Sequence, residues 1–125
     1  MSRVALVTGG SGAVGSSIVR RLAATGDRVA FTYLNNSASA EALAADVGAI
    51  PFRVDLTSAP QVAETIENVI RSVGDIDVLV NNAGKTQVLP FALIEEADWD
   101  DMFVSNMKSM FLVTHAVVRC MIRKK

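Results

Sequence analysis

The stretch Arg3-Val4-Ala5-Leu6-Val7-Thr8-Gly9-Gly10-Ser11-Gly12-Ala13-Val14-Gly15 decides the fold. Its first part, Arg3–Thr8, is a short β-rich apolar run and reads as a buried strand. Its second part puts four glycines into seven residues, with the spacing Gly10-x-Gly12-x-x-Gly15. From Ser16 to Thr25 the pattern is helical, with Val14, Ile18 and Leu22 at i, i+4 and i+8 and Val19 and Ala23 beside them. Glycine spacing alone says little. Between a strand and a helix it marks a backbone that turns tightly and lets an anion approach without a Cβ in the way. The helix N-terminus adds unpaired N–H groups and a partial positive charge. A ligand-free turn needs fewer glycines. The loop therefore reads as a cradle for a dinucleotide pyrophosphate, formed by Gly9, Ser11, Gly12, Val14 and Gly15, with Ser16 and Ser17 as further hydroxyl donors.

Outward from this loop the same alternation repeats. Gly26-Asp27 ends the first helix, and Arg28–Leu34 is a second strand. A polar turn, Asn35–Ser39, leads into a helix over Ser39–Val47 that Gly48 stops. Ile50–Val54 is a third strand, where Pro51 suits a strand start or an edge. After a loop over Asp55–Pro60, the helix Gln61–Val73 carries Val62, Ile66, Val69, Ile70 and Val73 on one face. Ile76–Val80 is a fourth strand, Asn81–Pro90 a loop, and Glu95–Lys124 a helix whose wide apolar stripe predicts cover on most sides. Strand–helix alternation predicts an α/β fold, a Rossmann-type doubly wound parallel sheet in the order 3-2-1-4, within one domain over residues 1–125.

Composition narrows the function classes. The chain has 125 residues, 50% of them hydrophobic, and a formal charge of −1. Its mean hydropathy of +0.34 suits a sheet buried on both faces, or a surface that meets another chain. No basic patch points to nucleic acid, and the Arg123–Lys125 tail reads as a helix end or a cut end. One cysteine, Cys120, gives no intrachain disulfide and reads as a buried inert thiol. One His and one Cys build no zinc site, so no metal is expected. No apolar run reaches membrane-spanning length and a strand pattern starts at once, which predicts no membrane, no signal peptide and a cytoplasmic protein.

The end of the second strand bears on the cofactor. It reads Phe31-Thr32-Tyr33-Leu34-Asn35-Asn36-Ser37 and holds no Asp or Glu. A carboxylate about 20 residues past the fingerprint would hold the 2′-hydroxyl of NAD. Without one, a 2′-phosphate meets no repulsion, and Asn35, Asn36 and Ser37, beside Tyr33, offer donors. The reading favours NADP(H); NAD stays the second candidate, since no Arg or Lys in this stretch is there to neutralise the phosphate.

Four motifs occur in order: Thr8-Gly9-Gly10-Ser11-Gly12-Ala13-Val14-Gly15, Val54-Asp55-Leu56, Asn81-Asn82-Ala83-Gly84, and Asn106. Together they resemble the short-chain dehydrogenase/reductase family, above all its 3-oxoacyl-acyl-carrier-protein reductase-like members, over the whole chain. The resemblance implies an oxidoreductase that reduces a carbonyl or oxidises an alcohol by hydride transfer, and a homo-oligomer joined through the C-terminal helix. It also implies a seven-stranded sheet, of which these residues form the N-terminal half. Asp55 would bond the adenine amino group and Leu56 would lie against the ring. Asn81 would brace the central sheet, Ala83 and Gly84 would pass near the adenosine ribose, and Asn82 would be a further cofactor-binding residue. Asn106 would be the family's catalytic-tetrad Asn, kinking its helix to hold a water in the proton relay. Read from the residues alone, Asp55 is also a loop cap and Asn106 a polar residue tolerated in a helix. Ala13 stands where the family's middle glycine is expected, and reading through Gly12 instead matches the extended branch. Lys85, after Gly84, is a surface lysine or a reach toward the cofactor.

The family's chemistry also needs a Ser and a Tyr-x-x-x-Lys, in which the cation lowers the phenol's pKa. The only tyrosine is Tyr33, and residue 37 is Ser. These residues are therefore expected to bind cofactor but not to turn over alone, to end before the catalytic strand, and to self-associate or dissolve poorly when isolated. His115, nine residues past Asn106, reads as a partly exposed structural histidine rather than a substitute acid. The alternative is a non-catalytic nucleotide-binding or interaction module, complete at this length.

Overall fold

The computed structural model describes residues 2–85 and 88–124. Thr86 and Gln87 of the predicted loop, and Lys125 of the basic tail, lie outside the described residues. Four strands, β1 (Val4–Val7), β2 (Arg28–Tyr33), β3 (Ile50–Arg53) and β4 (Val78–Val80), form one parallel sheet in the order β3-β2-β1-β4. Between them run α1 (Ala13–Ala24), α2 (Ser37–Val47) and α3 (Ala59–Ser72). A short 3₁₀ turn, Phe91–Leu93, then leads to α4 (Glu96–Phe103), a π-helical turn (Val104–Lys108) and α5 (Ser109–Lys124). This is the Rossmann-type doubly wound arrangement expected from the sequence.

The helix starts have local causes. Gly12 is the extended N-cap of α1, so the helix begins three residues inside the motif. Asn36 Oδ1 accepts from Ser39 N at 3.1 Å, so α2 starts at Ser37, two residues earlier than predicted and inside the predicted polar turn. Ser58 Oγ accepts from Gln61 N, and Pro60 sits in the first turn of α3. β4 is shorter than predicted: Asp77 N still donates to Val4 O at 2.8 Å, while Ile76 N donates to Cys120 Sγ on α5 at 3.2 Å. Cys120 is buried, as expected.

Alternate residues of the sheet feed two cores. Val4 and Leu6 pack with Val62, Ile66, Val69, Val113 and Val117 on the α3/α5 face. Val7, Val29 and Phe31 pack with Val19, Ala40 and Leu43 on the α1/α2 face. Two expectations about burial need correcting. Val14 does not join the α1 stripe; it is 66% exposed, because Gly15 is the first-turn residue that packs down on Gly9. Nor is the last helix covered on most sides. It buries Ser109, Val113, Val117 and Cys120, while Trp99, Phe103, Phe111 and Ile122 stand exposed. The cause is geometric: among the described residues α5 meets α3 and the sheet on one side only, and β4 pairs only with β1.

Candidate functional site

The glycine turn sits at the carboxyl ends of the strands, where open α/β sheets bind ligands. Gly9 has φ +65, and a Cβ there would come within 2.9 Å of the Ala83 backbone. A Cβ on Gly15 would reach 2.2 Å from the Gly9 carbonyl oxygen. Gly12 differs: the nearest atom to its Cβ would be that same oxygen, at 3.7 Å, an ordinary contact. The fold therefore requires glycine at 9 and 15 and leaves open space at 12. Around that space α1 presents a first turn with no side-chain cap and no acidic residue. Its leading N–H groups have no partner within the helix.

Two buried threonines tie this turn to both neighbouring strands. Thr8 Oγ1 accepts from Asn82 N and Ala83 N, each at 3.0 Å, and donates to Val80 O at 3.4 Å. Asn82 Nδ2 in turn donates to Thr8 O (3.1 Å) and Gly9 O (3.0 Å). On the other side Gly9 N donates to Thr32 Oγ1 at 3.1 Å and Gly10 N to Thr32 O at 3.0 Å. Asn82, not Asn81, is thus the residue that braces the sheet; Asn81 Nδ2 donates to Thr114 Oγ1 on α5 at 3.1 Å. Ser16 and Ser17 are not outward donors either. Both hydroxyls donate to Ala13 O at 3.2 Å, inside the helix. Thr8 and Thr32 received no role from the sequence; a buried Thr ending a β-branched strand beside a glycine turn was the available signal.

The ends of β2 and β3 complete the same rim. Tyr33 is half-buried, and Asn35, Asn36 and Ser37 are exposed, with the Asn36 side-chain oxygen spent on capping α2. Asp55 Oδ1 accepts from Thr57 Oγ1 (2.6 Å) and Thr57 N (3.0 Å). These bonds, the hydroxyl's first, outweigh desolvation and hold the Asp55 carboxyl below its ordinary range. Leu56 is half-buried against the α3/α5 core.

Asn106 lies within the π-helical turn. Its Oδ1 accepts from Lys85 N at 2.9 Å, and its Nδ2 donates to Lys85 O (3.0 Å) and Met102 O (2.9 Å). A Cβ on Gly84 would stand 2.5 Å from Asn106 Oδ1, so the two residues fit as a pair. Lys85 Nζ pairs with Asp101 at 2.5 Å on the surface. Between Asn106 and Thr8 lies a cavity of about 60 Å³, lined also by Asn81, Ala83 and Ser109 among others. It has room and polar partners for a water.

The fold thus brings the glycine turn, the Asp55 loop, the Asn82–Gly84 strap and Asn106 to one end of the sheet. His115 stays outside this group, exposed on α5 with its ring 5.6 Å from that of Phe111. Among the described residues no cluster of three or more His, Cys, Asp or Glu could hold a metal, and no helix is long and apolar enough to cross a membrane.

A family model described as short chain dehydrogenase matches residues 3–125. An acetoacetyl-CoA reductase of Shinella zoogloeoides is 39% identical over 117 residues, covering 94% of this chain and 48% of the relative. A 3-oxoacyl-acyl-carrier-protein reductase of Staphylococcus epidermidis is 34% identical over 130 residues, covering 100% of this chain and 53% of the relative. Among solved structures, a blue fluorescent protein from a metagenomic library in complex with NADPH superposes with a TM-score of 0.87. It is 35% identical, over 94% of this chain and 50% of that one. The chain spans about half the length of the curated relatives it matches.

Proposed function

The chain belongs to the short-chain dehydrogenase family, and from that premise we propose that residues 1–125 are the NADP(H)-binding domain of an oxidoreductase acting on a carbonyl or an alcohol. The observation that carries this reading is the uncapped, acid-free start of α1, standing over a glycine turn tied to both flanking strands. The residues fit a dinucleotide. The space beside Gly12 admits a pyrophosphate, and the free N–H groups of α1 meet its charge at fixed positions.

The assignments follow the rim. Gly9, Ser11, Gly12, Val14 and Gly15 cradle the pyrophosphate. Asp55 and Leu56 take the adenine, and Tyr33, Asn35, Asn36 and Ser37 face the adenosine ribose and its 2′-phosphate. Asn82, Ala83 and Gly84 form the floor. A bound nicotinamide would give or take the hydride. Asn106 acts as a positioning residue: its amide is committed to Lys85 and Met102, so it holds the π-helical turn and the adjacent cavity, where a water can sit in a proton relay. The lone tyrosine, Tyr33, ends β2 on the adenosine side, so these residues bind and position and do not transfer the proton. The exposed Phe111 and Ile122 of α5 favour a homo-oligomer joined through that helix. The cytoplasmic setting rests on the sequence reading.

Gly12→Asp separates binding from folding. The fold has room for the side chain, while a carboxylate at the helix start repels a pyrophosphate. NADPH titration should show loss of roughly tenfold or more in affinity, with the melting temperature little changed. Undiminished NADPH binding in this variant would sink the proposal.

A further inference from the structure

We propose that Arg53, the last residue of β3, selects the 2′-phosphate of NADP(H), an inference that rests on the dinucleotide reading above. The segment after β2 carries no cation of its own, and neither does the glycine turn. The sheet supplies one from another strand. β2 and β3 pair with Tyr33 opposite Arg53, so the arginine stands beside the chain that runs on into Asn35 and Asn36. Its Nε donates to Leu34 O at 3.0 Å, and the peptide bond of that carbonyl leads directly into Asn35.

One bond of this kind fixes the guanidinium plane and leaves its terminal nitrogens free to donate. Among the described residues no carboxylate pairs with Arg53, whereas Arg3 is paired with Asp27 and Arg20 with Asp46. Asp55, two residues along, faces the same end of the sheet, but Thr57 already occupies its Oδ1. The neighbouring first turn of α2 contains no acidic residue to compete for the guanidinium. A planar fork with free N–H groups matches a phosphate's oxygens in pairs, which a lone ammonium does not. NAD has a hydroxyl where NADP has this phosphate, so Arg53 acts on the choice between them and not on dinucleotide binding as such.

Calorimetric titration of NADP⁺ and NAD⁺ into the protein at its natural length, as wild type, Arg53→Gln and Arg53→Glu, tests this. Arg53 is exposed, so melting curves of the three should nearly coincide. The wild type should prefer NADP⁺. Arg53→Gln should lose roughly tenfold or more in NADP⁺ affinity and leave NAD⁺ unchanged, and Arg53→Glu should invert the preference. An Arg53→Gln variant that weakens both dinucleotides equally, or neither, overturns the assignment while the dinucleotide reading stands. So does a wild type that binds NAD⁺ as tightly as NADP⁺. A wild type that binds neither overturns both.

Discussion

The chain leaving β4 is anchored twice, and the two anchors are built differently. The first is Thr8, 2% exposed, whose hydroxyl takes the amides of Asn82 and Ala83 while Asn82 returns two bonds to the glycine turn. The second is Asn106, part-exposed, whose amide holds both sides of the Lys85 peptide from a π-helical turn. The first joins two strands of one sheet in a part-buried setting around a buried hydroxyl. The second joins a loop to a helix across wet surface, and the ion pair beside it, Lys85–Asp101, is exposed on both sides. Bonds with similar lengths therefore carry different weights. Where water cannot replace a lost partner, loss of the bond costs the fold. Where water can, the loss falls mainly on local geometry.

The largest expected effect comes from breaking the first anchor with Thr8→Val. The substitution keeps the shape and removes the acceptor, so Ala83 N loses its partner and Asn82 N keeps only its bond to Val80 O, in a part-buried setting. A cost of about 1–3 kcal/mol follows from one unsatisfied group, read as a lower urea midpoint with the slope unchanged. A midpoint within error of wild type would mean that water enters beside Thr8, and the contrast drawn between the anchors would collapse.

Asn106→Ala breaks the second anchor and should cost less, about 1 kcal/mol, because Lys85 N–H and C=O stand where water reaches them. Its distinguishing readout lies elsewhere. Amide exchange at Lys85 and in the π-helical turn should accelerate while exchange in β1 and β2 stays slow. Acceleration throughout the sheet would show that the second anchor supports the fold as much as the first.

The sheet order and both helix layers were legible because strand and helix periods alternate cleanly around Gly9–Gly15. The rim residues were legible as a set, since motifs ending parallel strands must fall at the same end of the sheet. What the sequence hid were contacts between strands. Thr8 and Thr32 look like ordinary β-branched residues until Asn82 and Gly9 arrive opposite them. Arg53 lies 16 residues beyond the end of the segment searched for a cation, yet register sets it beside Tyr33. The two asparagines of the Asn81-Asn82 pair are alike on paper, and only strand pleating decides that Asn82 turns to the glycine loop and Asn81 to α5. The α5 stripe misled for a different reason: apolar periodicity reports what a helix is fit to bury, and the described residues cover only one side of it.

The smallest expected effect sharpens the comparison from the Asp55 loop, a third hydrogen-bonded tether that is wetter than the other two. Thr57 holds the Asp55 carboxyl below its ordinary value in the folded chain. A depressed carboxylate stabilises the fold above its unfolded pKa of about 3.9, and that contribution fades as pH falls through the lower, folded value. Asp55→Asn keeps an acceptor for Thr57 and removes the charge. At pH 7 the variant should be less stable by under about 1 kcal/mol, since solvent screens an exposed pair of bonds. Below the carboxylate range the two proteins should converge, because wild-type Asp55 is then neutral as well. Urea midpoints followed from pH 7 down to pH 2 decide it. A gap that persists or widens in acid would mean that Thr57 is held by the shape of the loop and that the carboxylate's charge contributes nothing to the tether.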